Sequence, residues 1–354
     1  MFPYFILVGI PVVINFFMLG DRGKKKNRFL ITVFFILFFL LLALRSEKIG
    51  IDLANYKSIY INWGKSSWKN IFNSMGEIEV GYAVLCKLVY STNASFHTFM
   101  VVVAIIEIVP LMILYREEVE NAFLSIVLFL IVGIFPMLFS GLRQSIAVSL
   151  GAIAFLLLKN RKFILFIIVA FLATTFHTSA FMLFFMLPLY YLKITKKWLI
   201  VVVPIIIVMM IFNVQIFSAL ATLLPERYDK YEAKPTGAFA MLLLYVFFAI
   251  YAYVASDELV IDKETIGLRN FLLFSIFLQI FASVHSLAMR MNYYYIIFIP
   301  LLLPKTMKYS RQSFVEVNML AELVMILFFL LYYFYSAYNG ADILQIYPYQ
   351  FYWG

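Results

Sequence analysis

Apolar runs that approach the thickness of a bilayer follow one another along almost the whole chain, broken mainly by short loops carrying Lys and Arg. Hydrocarbon offers no water to the backbone, so each run must satisfy its own N–H and C=O groups, which within one segment means a helix. We read twelve spans, roughly 2–19, 29–44, 96–115, 121–139, 142–158, 162–175, 178–192, 198–213, 238–256, 269–286, 291–304 and 314–335. The expected fold class is an all-α polytopic membrane protein, one integral membrane domain over 1–354 without a separate soluble part. Composition agrees: 64% hydrophobic and 13% charged residues and a mean hydropathy of +0.95, against about 45–50% and about 25% in soluble domains.

The formal charge of +9 raises the question of nucleic acid, but the basic residues form short clusters between apolar runs, which is a topology signal and not a binding stripe. The run Phe2 to Leu19 has no basic residues before it and is followed by Arg22, Lys24, Lys25, Lys26 and Arg28, so we expect a retained span whose start lies outside. Alternation from there makes the loops 20–28, 116–120, 159–161, 193–197, 257–268 and 305–313 cytoplasmic, where, with the flanking Lys162 and Arg269, 17 of the 28 Lys and Arg fall, and puts both chain ends outside. The lone Cys86 excludes an internal disulfide and reads as an apolar filler.

Two outside segments, 45–95 and 214–237, are long enough to form structure. In the first, Trp63, Trp68, Ile71, Phe72 and Met75 suggest a helix lying in the interface, and Gly81 to Tyr90 is apolar but too short to span, as in a shallow re-entrant piece. The run 162–192 reads as two short spans broken at Thr174-Thr175-Phe176-His177. Tyrosines at 293–295 and 332–338 read as an interfacial belt.

On this topology Arg45, Asp52, Glu79, Arg143, His177 and Arg290 all fall at the outer ends of spans. Charge near hydrocarbon is expensive, roughly 2.5–3.5 kcal/mol at a helix centre, so a shared face of retained charge points to function. Arg143 follows Ser140-Gly141, either of which can cap the fifth span, and the open N–H groups of a helix start beside a guanidinium attract phosphate. Anchoring to lipid headgroups is the other reading for Arg143, for Arg290 at the start of the eleventh span, and above all for Arg45. His177 can accept a proton or donate to phosphate; a hydrogen-bonded structural histidine is equally compatible, and His97 and His285 read as packing residues. Asp52 and Glu79 are candidate bases for a sugar hydroxyl, and Glu77 reads as a solvated acid. Glu107 and Glu322, inside spans, each need a partner. No phosphate loop, His-Glu-x-x-His, Cys/His ligand spacing or Gly-x-Ser-x-Gly elbow is present.

Five pieces, taken in order, resemble the EpsG family of Wzy-like polysaccharide polymerases: Arg45 followed by Gly50-Ile51-Asp52 and Tyr56; Glu79-Val80-Gly81-Tyr82; Ser140-Gly141-Leu142-Arg143-Gln144-Ser145-Ile146-Ala147; Phe176-His177-Thr178-Ser179-Ala180; and Arg290 before Tyr293. They cover about residues 40–300. The resemblance implies a multi-span fold like the GT-C-type lipid-linked-sugar glycosyltransferases. It also implies transfer of a polyprenyl-diphosphate-linked oligosaccharide onto a second lipid-linked unit, at the outer face of a bacterial cytoplasmic membrane, in capsule, exopolysaccharide or O-antigen synthesis. Arg143, His177, Arg290, Asp52 and Glu79 would then be catalytic. Arg45, Tyr56, Tyr82, Gln144, Ser179 and Tyr293 would bind substrate. No metal or other cofactor is expected, because arginines can neutralise the leaving diphosphate. The partners would be donor and acceptor glycolipids, the bilayer, a flippase and a chain-length regulator, and no nucleic acid. An O-antigen-type ligase or another polyprenyl-linked glycosyltransferase uses the same groups; a flippase, and a membrane O-acyltransferase resting on a buried histidine, are the other classes.

Overall fold

The computed structural model describes residues 2–18, 23–73, 78–221, 238–310, 314–339 and 344–354. Glu77, Met75 and most of the 214–237 segment lie outside the described residues. Within them the chain is helical, with no β-strand and two isolated bridges. The helices are α1 (Phe2–Phe17), α2 (Lys24–Ala43), α3 (Leu53–Lys65), α4 (Trp68–Asn73), α5 (Val80–Tyr90), α6 (Phe96–Glu118), α7 (Ala122–Ile131), α8 (Ile134–Ser140), α9 (Leu142–Lys159) and α10 (Phe163–Thr174). A 3₁₀ helix over Thr178–Phe185 precedes α11 (Met186–Tyr191), α12 (Leu199–Ile211), α13 (Asn213–Ala221), α14 (Ala238–Ala255), α15 (Lys263–Ala282), α16 (Ser286–Ile296), α17 (Ile299–Lys308) and α18 (Val315–Asn339). Six of these stretches are long and apolar enough to cross a membrane, or up to eight if each of two bent helix pairs counts as one span. The protein is therefore a multi-pass membrane protein. Others, such as the 16-residue α1, are apolar but shorter; at 1.5 Å per residue such a helix falls short of about 30 Å of hydrocarbon.

The chain divides into two compact units, Met1–Phe184 with Glu322–Gly354, and Phe185–Ala321. In the first, α2 packs on α6, α6 on α9 and α9 on α10. Phe34, Phe35 and Phe38 of α2 meet Phe129 of α7 in edge-on contacts. Basic residues collect at one end of this unit: Arg28 pairs with Glu117 at 3.0 Å, Lys159 with Glu118 at 2.5 Å, and Lys26 donates to the Met18 carbonyl. Glu322 lies there too, accepting from Asn121 at 2.5 Å, so this acid sits near the basic end and not in mid-span.

At the opposite end of α2 and α9, the segment 344–354 lies back along the residues after α2. Ser46 N donates to the Gln350 carbonyl at 2.8 Å, Gly50 N to Gln345 and Ile51 N to Leu344. Tyr4 near the chain's start donates its hydroxyl to the Ile346 carbonyl, so both ends of this unit's chain meet here.

Two expectations for the 45–95 segment change. The aromatic stretch does not form one helix: the chain breaks at Ser66-Ser67, Trp63 ends up on α3, and on α4 Ile71 is buried while Trp68 and Phe72 are exposed. The mixed spacing of the apolar residues reflects two helices and a turn. Arg45 does not reach for headgroups. It is 0% exposed, donates to the Phe139 carbonyl at 2.8 Å and lies over the Phe139 ring. Burial lowers its pKa to about 10, with Glu107 acting in the opposite sense, so it is charged at neutral pH. Glu107 is itself 0% exposed, and neither carboxylate oxygen has a hydrogen-bond partner. The acid that looked isolated in α6 thus lies in the field of Arg45. Arg45→Met and Glu107→Leu should each destabilise the protein, because each takes from a buried polar group the neighbour it faces, an effect of about 1–3 kcal/mol. The double variant should recover part of the loss, with a coupling of about 0.5–3 kcal/mol. Unfolding midpoints in detergent for the four proteins measure it, and additive effects would show that the two groups are independent.

In the second unit α15 contacts α11, α14, α16 and α17. Its basic loops also gather: Arg269 pairs with Glu258 at 2.7 Å, Lys305 with Glu264, and Lys196 donates to the Ser256 carbonyl. Tyr293, Tyr294 and Tyr295 are buried here, packing Phe271 and Phe274 through Tyr295, so they are core and not a belt. By contrast Tyr332, Tyr335 and Tyr338 of α18 are exposed.

Candidate functional site

The site is built where α8 ends and α9 begins. Gly133, at φ +95°, ends α7 and turns the chain by 58° into α8; Gly141 then ends α8 and starts α9. No side chain caps α9, because Ser140 is engaged elsewhere: its hydroxyl donates to Asp52 Oδ2 at 3.2 Å and accepts from the Asp52 N–H at 3.4 Å. Of the two residues expected to cap α9, Gly141 occupies the cap position, while Ser140 forms a cross-link to the start of α3. Gly50 makes that approach possible: it holds φ +117°, and a Cβ there would run into the Phe139 carbonyl. Arg45 grips the same carbonyl from below. Arg45, Gly50 and Asp52 together hold the break that presents Arg143.

Arg143, on the first turn of α9, remains 25% exposed and donates through Nη1 to Glu79 Oε2 at 2.5 Å. Beneath it lie the ring of Tyr56, 5.9 Å from the guanidinium carbon, and then Tyr82, edge-on to Tyr56. Both tyrosines are buried in a core of Leu53, Tyr60, Phe99, Leu142 and Ile146. Glu79, 16% exposed, precedes α5 and spends its other oxygen on a different element: Oε1 accepts from the Thr178 N–H at 3.1 Å and the Thr178 hydroxyl at 3.2 Å. The start of α5 can come this close because residue 81 is glycine: Gly81 N donates to the Thr175 carbonyl at 2.7 Å, and a Cβ would strike the Thr175 hydroxyl. One carboxylate therefore bridges the start of α9 and the chain that follows α10.

Burial alone would raise the pKa of Glu79, but the Arg143 guanidinium, His177 and the Thr178 N–H outweigh it and hold the carboxyl below its ordinary value of 4.5. A group with a depressed folded pKa contributes stability that is present above its unfolded pKa and lost as pH falls through the folded one. The wild type should accordingly lose more stability than Glu79→Gln as pH drops below 4.5, read as the difference between their unfolding midpoints at each pH; parallel curves would refute the shift.

His177 sits in the turn between α10 and the 3₁₀ helix. Its Nδ1 receives the Ser179 N–H at 3.2 Å and lies 2.8 Å from the Ser179 hydroxyl. A backbone N–H can only donate, so Nδ1 is an acceptor and the neutral ring carries its proton on Nε2. Of the two roles open to His177, this tautomer fits the donor to phosphate and disfavours the proton acceptor. Ser179 is buried and fixes that tautomer, while Gln144 is buried in the first turn of α9.

Arg290 and Tyr293 belong to the second unit. His285 caps α16 by accepting from Leu287 N at 3.0 Å, so Arg290 stands in the second turn and not at the helix start. Sequence reasoning missed the buried network between α15 and α16, where Ser275 donates to Asn292 and Asn292 to Gln279 at 2.9 Å. It also gave Thr178 and Thr175 no role, since hydroxyls near a turn are too common to signal one.

An apolar helical bundle with Arg143, Glu79 and His177 gathered at one end of the first unit defines a class, that of multi-pass membrane proteins. The match is specific: a family model described as the EpsG family covers residues 28–351, and the chain belongs to that family. No curated protein and no solved structure matches it. Family membership fits a polysaccharide polymerase in general.

Proposed function

We propose that this protein is a repeat-unit polymerase of capsule, exopolysaccharide or O-antigen synthesis. In this reading it acts at the outer face of a bacterial cytoplasmic membrane, in a fold of about twelve spans resembling the GT-C-type glycosyltransferases, with both chain ends outside. It transfers an oligosaccharide from a polyprenyl diphosphate such as undecaprenyl diphosphate onto a second lipid-linked unit. The observation that carries this reading is the Glu79 carboxylate held between Arg143 and Thr178, which marks a place suited to an anion. Arg143 binds a phosphate oxygen of the donor in the fork that Lys cannot copy. His177 donates to the same group through Nε2. Glu79 takes the proton of the acceptor hydroxyl, with Asp52 as the alternative base. The acceptor oxygen forms a bond to the anomeric carbon, the carbon–oxygen bond to the diphosphate breaks, and its electron pair leaves on the diphosphate, where Arg143 stabilises it. Arg290 keeps the second phosphate-binding role that the family resemblance assigns it. A flippase and a chain-length regulator are the partners such a cycle needs.

Deletion of the gene tests the assignment. A polymerase predicts loss of the polymer ladder with single repeat units displayed outside. Repeat units retained inside would indicate a flippase, and loss of the final attachment alone a ligase; either would overturn the proposal.

A further inference from the structure

Glu79 makes all its strong contacts with groups that also suit a phosphate: the Arg143 guanidinium through Oε2, and the Thr178 N–H and hydroxyl through Oε1. It approaches Arg143 to 2.5 Å in a setting where the carboxylate is 16% and the arginine 25% exposed, so solvent competes only weakly for either. On the remaining side Arg143 Nε is buried without a hydrogen-bond partner. A ligand phosphate therefore cannot use Arg143 fully while Glu79 holds Nη1. A carboxylate paired with an arginine is also a poor base, since its lone pairs are already committed.

We infer that Glu79 is an internal stand-in for the donor's phosphate, and that donor binding displaces it from Arg143 and thereby releases it to serve as the base. The inference rests on the proposed function and adds an order of events to it. Before the donor binds, Glu79 occupies Arg143 Nη1. When a lipid-linked diphosphate arrives, its oxygens take over the guanidinium, and Glu79 swings free through Oε2 while Thr178 keeps hold of Oε1. The freed Oε2 has lost its cation and accepts the proton of the acceptor hydroxyl as the glycosidic bond forms. The pair that leaves with the diphosphate is then held by the guanidinium that Glu79 vacated. Donor binding must precede acceptor deprotonation, and Thr178 is a positioning residue that keeps the released carboxylate in reach.

The exchange makes an unusual demand: removing the negative charge of a catalytic group should improve donor affinity while harming turnover. Binding of farnesyl diphosphate, a short polyprenyl diphosphate, and of inorganic pyrophosphate is measured by calorimetry on the purified full-length protein, with a thermal melt to confirm folding. Glu79→Gln should bind both probes about tenfold more tightly than wild type, yet form polymer at least about a hundredfold more slowly, so that KM for donor and kcat fall together. Glu79→Asp, one methylene shorter and unable to span both partners, should also bind more tightly and serves if the glutamine variant fails to fold. Equal or weaker binding in both variants, with binding still abolished in Arg143→Ala, would sink the exchange and leave the anion site standing. Unchanged probe binding in Arg143→Ala would instead sink the anion site itself.

Discussion

Arg143→Ala is expected to lower polymer formation by about 10²–10³-fold, the loss of one preorganised group facing developing negative charge, or about 3–4 kcal/mol in the barrier. Arg143→Lys should recover little of it. A lysine is a point charge without the planar fork, and the guanidinium now stacks over Tyr56 while donating to Glu79. The measurement is the length ladder of polymer in a deletion strain complemented with each variant at matched protein level. Full-length polymer from both variants would remove Arg143 from the chemistry. Because Arg143→Ala also takes from the half-buried Glu79 the guanidinium it is paired with, the variant should melt earlier than wild type as well. Comparison with the double variant Arg143→Ala, Glu79→Gln separates the two effects: it should regain melting temperature and no activity.

Gly81→Val should be nearly as damaging without touching any charged group. A side chain there cannot avoid the Thr175 hydroxyl, and its first carbon would stand 2.8 Å from the Thr175 carbonyl oxygen, which is backbone and cannot swing aside. The start of α5 must move off the end of α10, the 2.7 Å bond from Gly81 N is lost, and Glu79 is carried away from Thr178. Overpacking of this kind costs about 1–3 kcal/mol in stability. The activity loss should exceed what that figure explains, because misplacing a catalytic group by about 1 Å can cost 10²-fold. Activity per folded molecule, with folded protein counted by gel filtration in detergent, checks this. A variant that is merely less stable, with full activity per folded molecule, would show that the α5–α10 contact does not position Glu79.

Much of this protein was legible along the chain because a bilayer imposes a one-dimensional rule. Apolar runs, basic clusters and the break at Thr174 to His177 are local patterns. The structure repeats them as long apolar helices, as basic ends in each unit, and as the turn between α10 and the 3₁₀ helix. The same locality let Arg143, Glu79 and His177 be singled out as polar residues at the ends of apolar runs. Their pairings were not legible. Which oxygen of Glu79 meets which donor, why Ser140 serves Asp52 instead of capping α9, and why Arg45 is sealed beneath Phe139 all depend on elements far apart in sequence. Tyr293 to Tyr295 show the limit most plainly: a tyrosine's amphipathic ring suits a membrane interface and a packed core equally well. Composition and spacing decide that a segment is helical and apolar, because those are properties of one helix in hydrocarbon. Only packing decides which neighbour each polar group meets, because a hydrogen bond or an ion pair is a property of two.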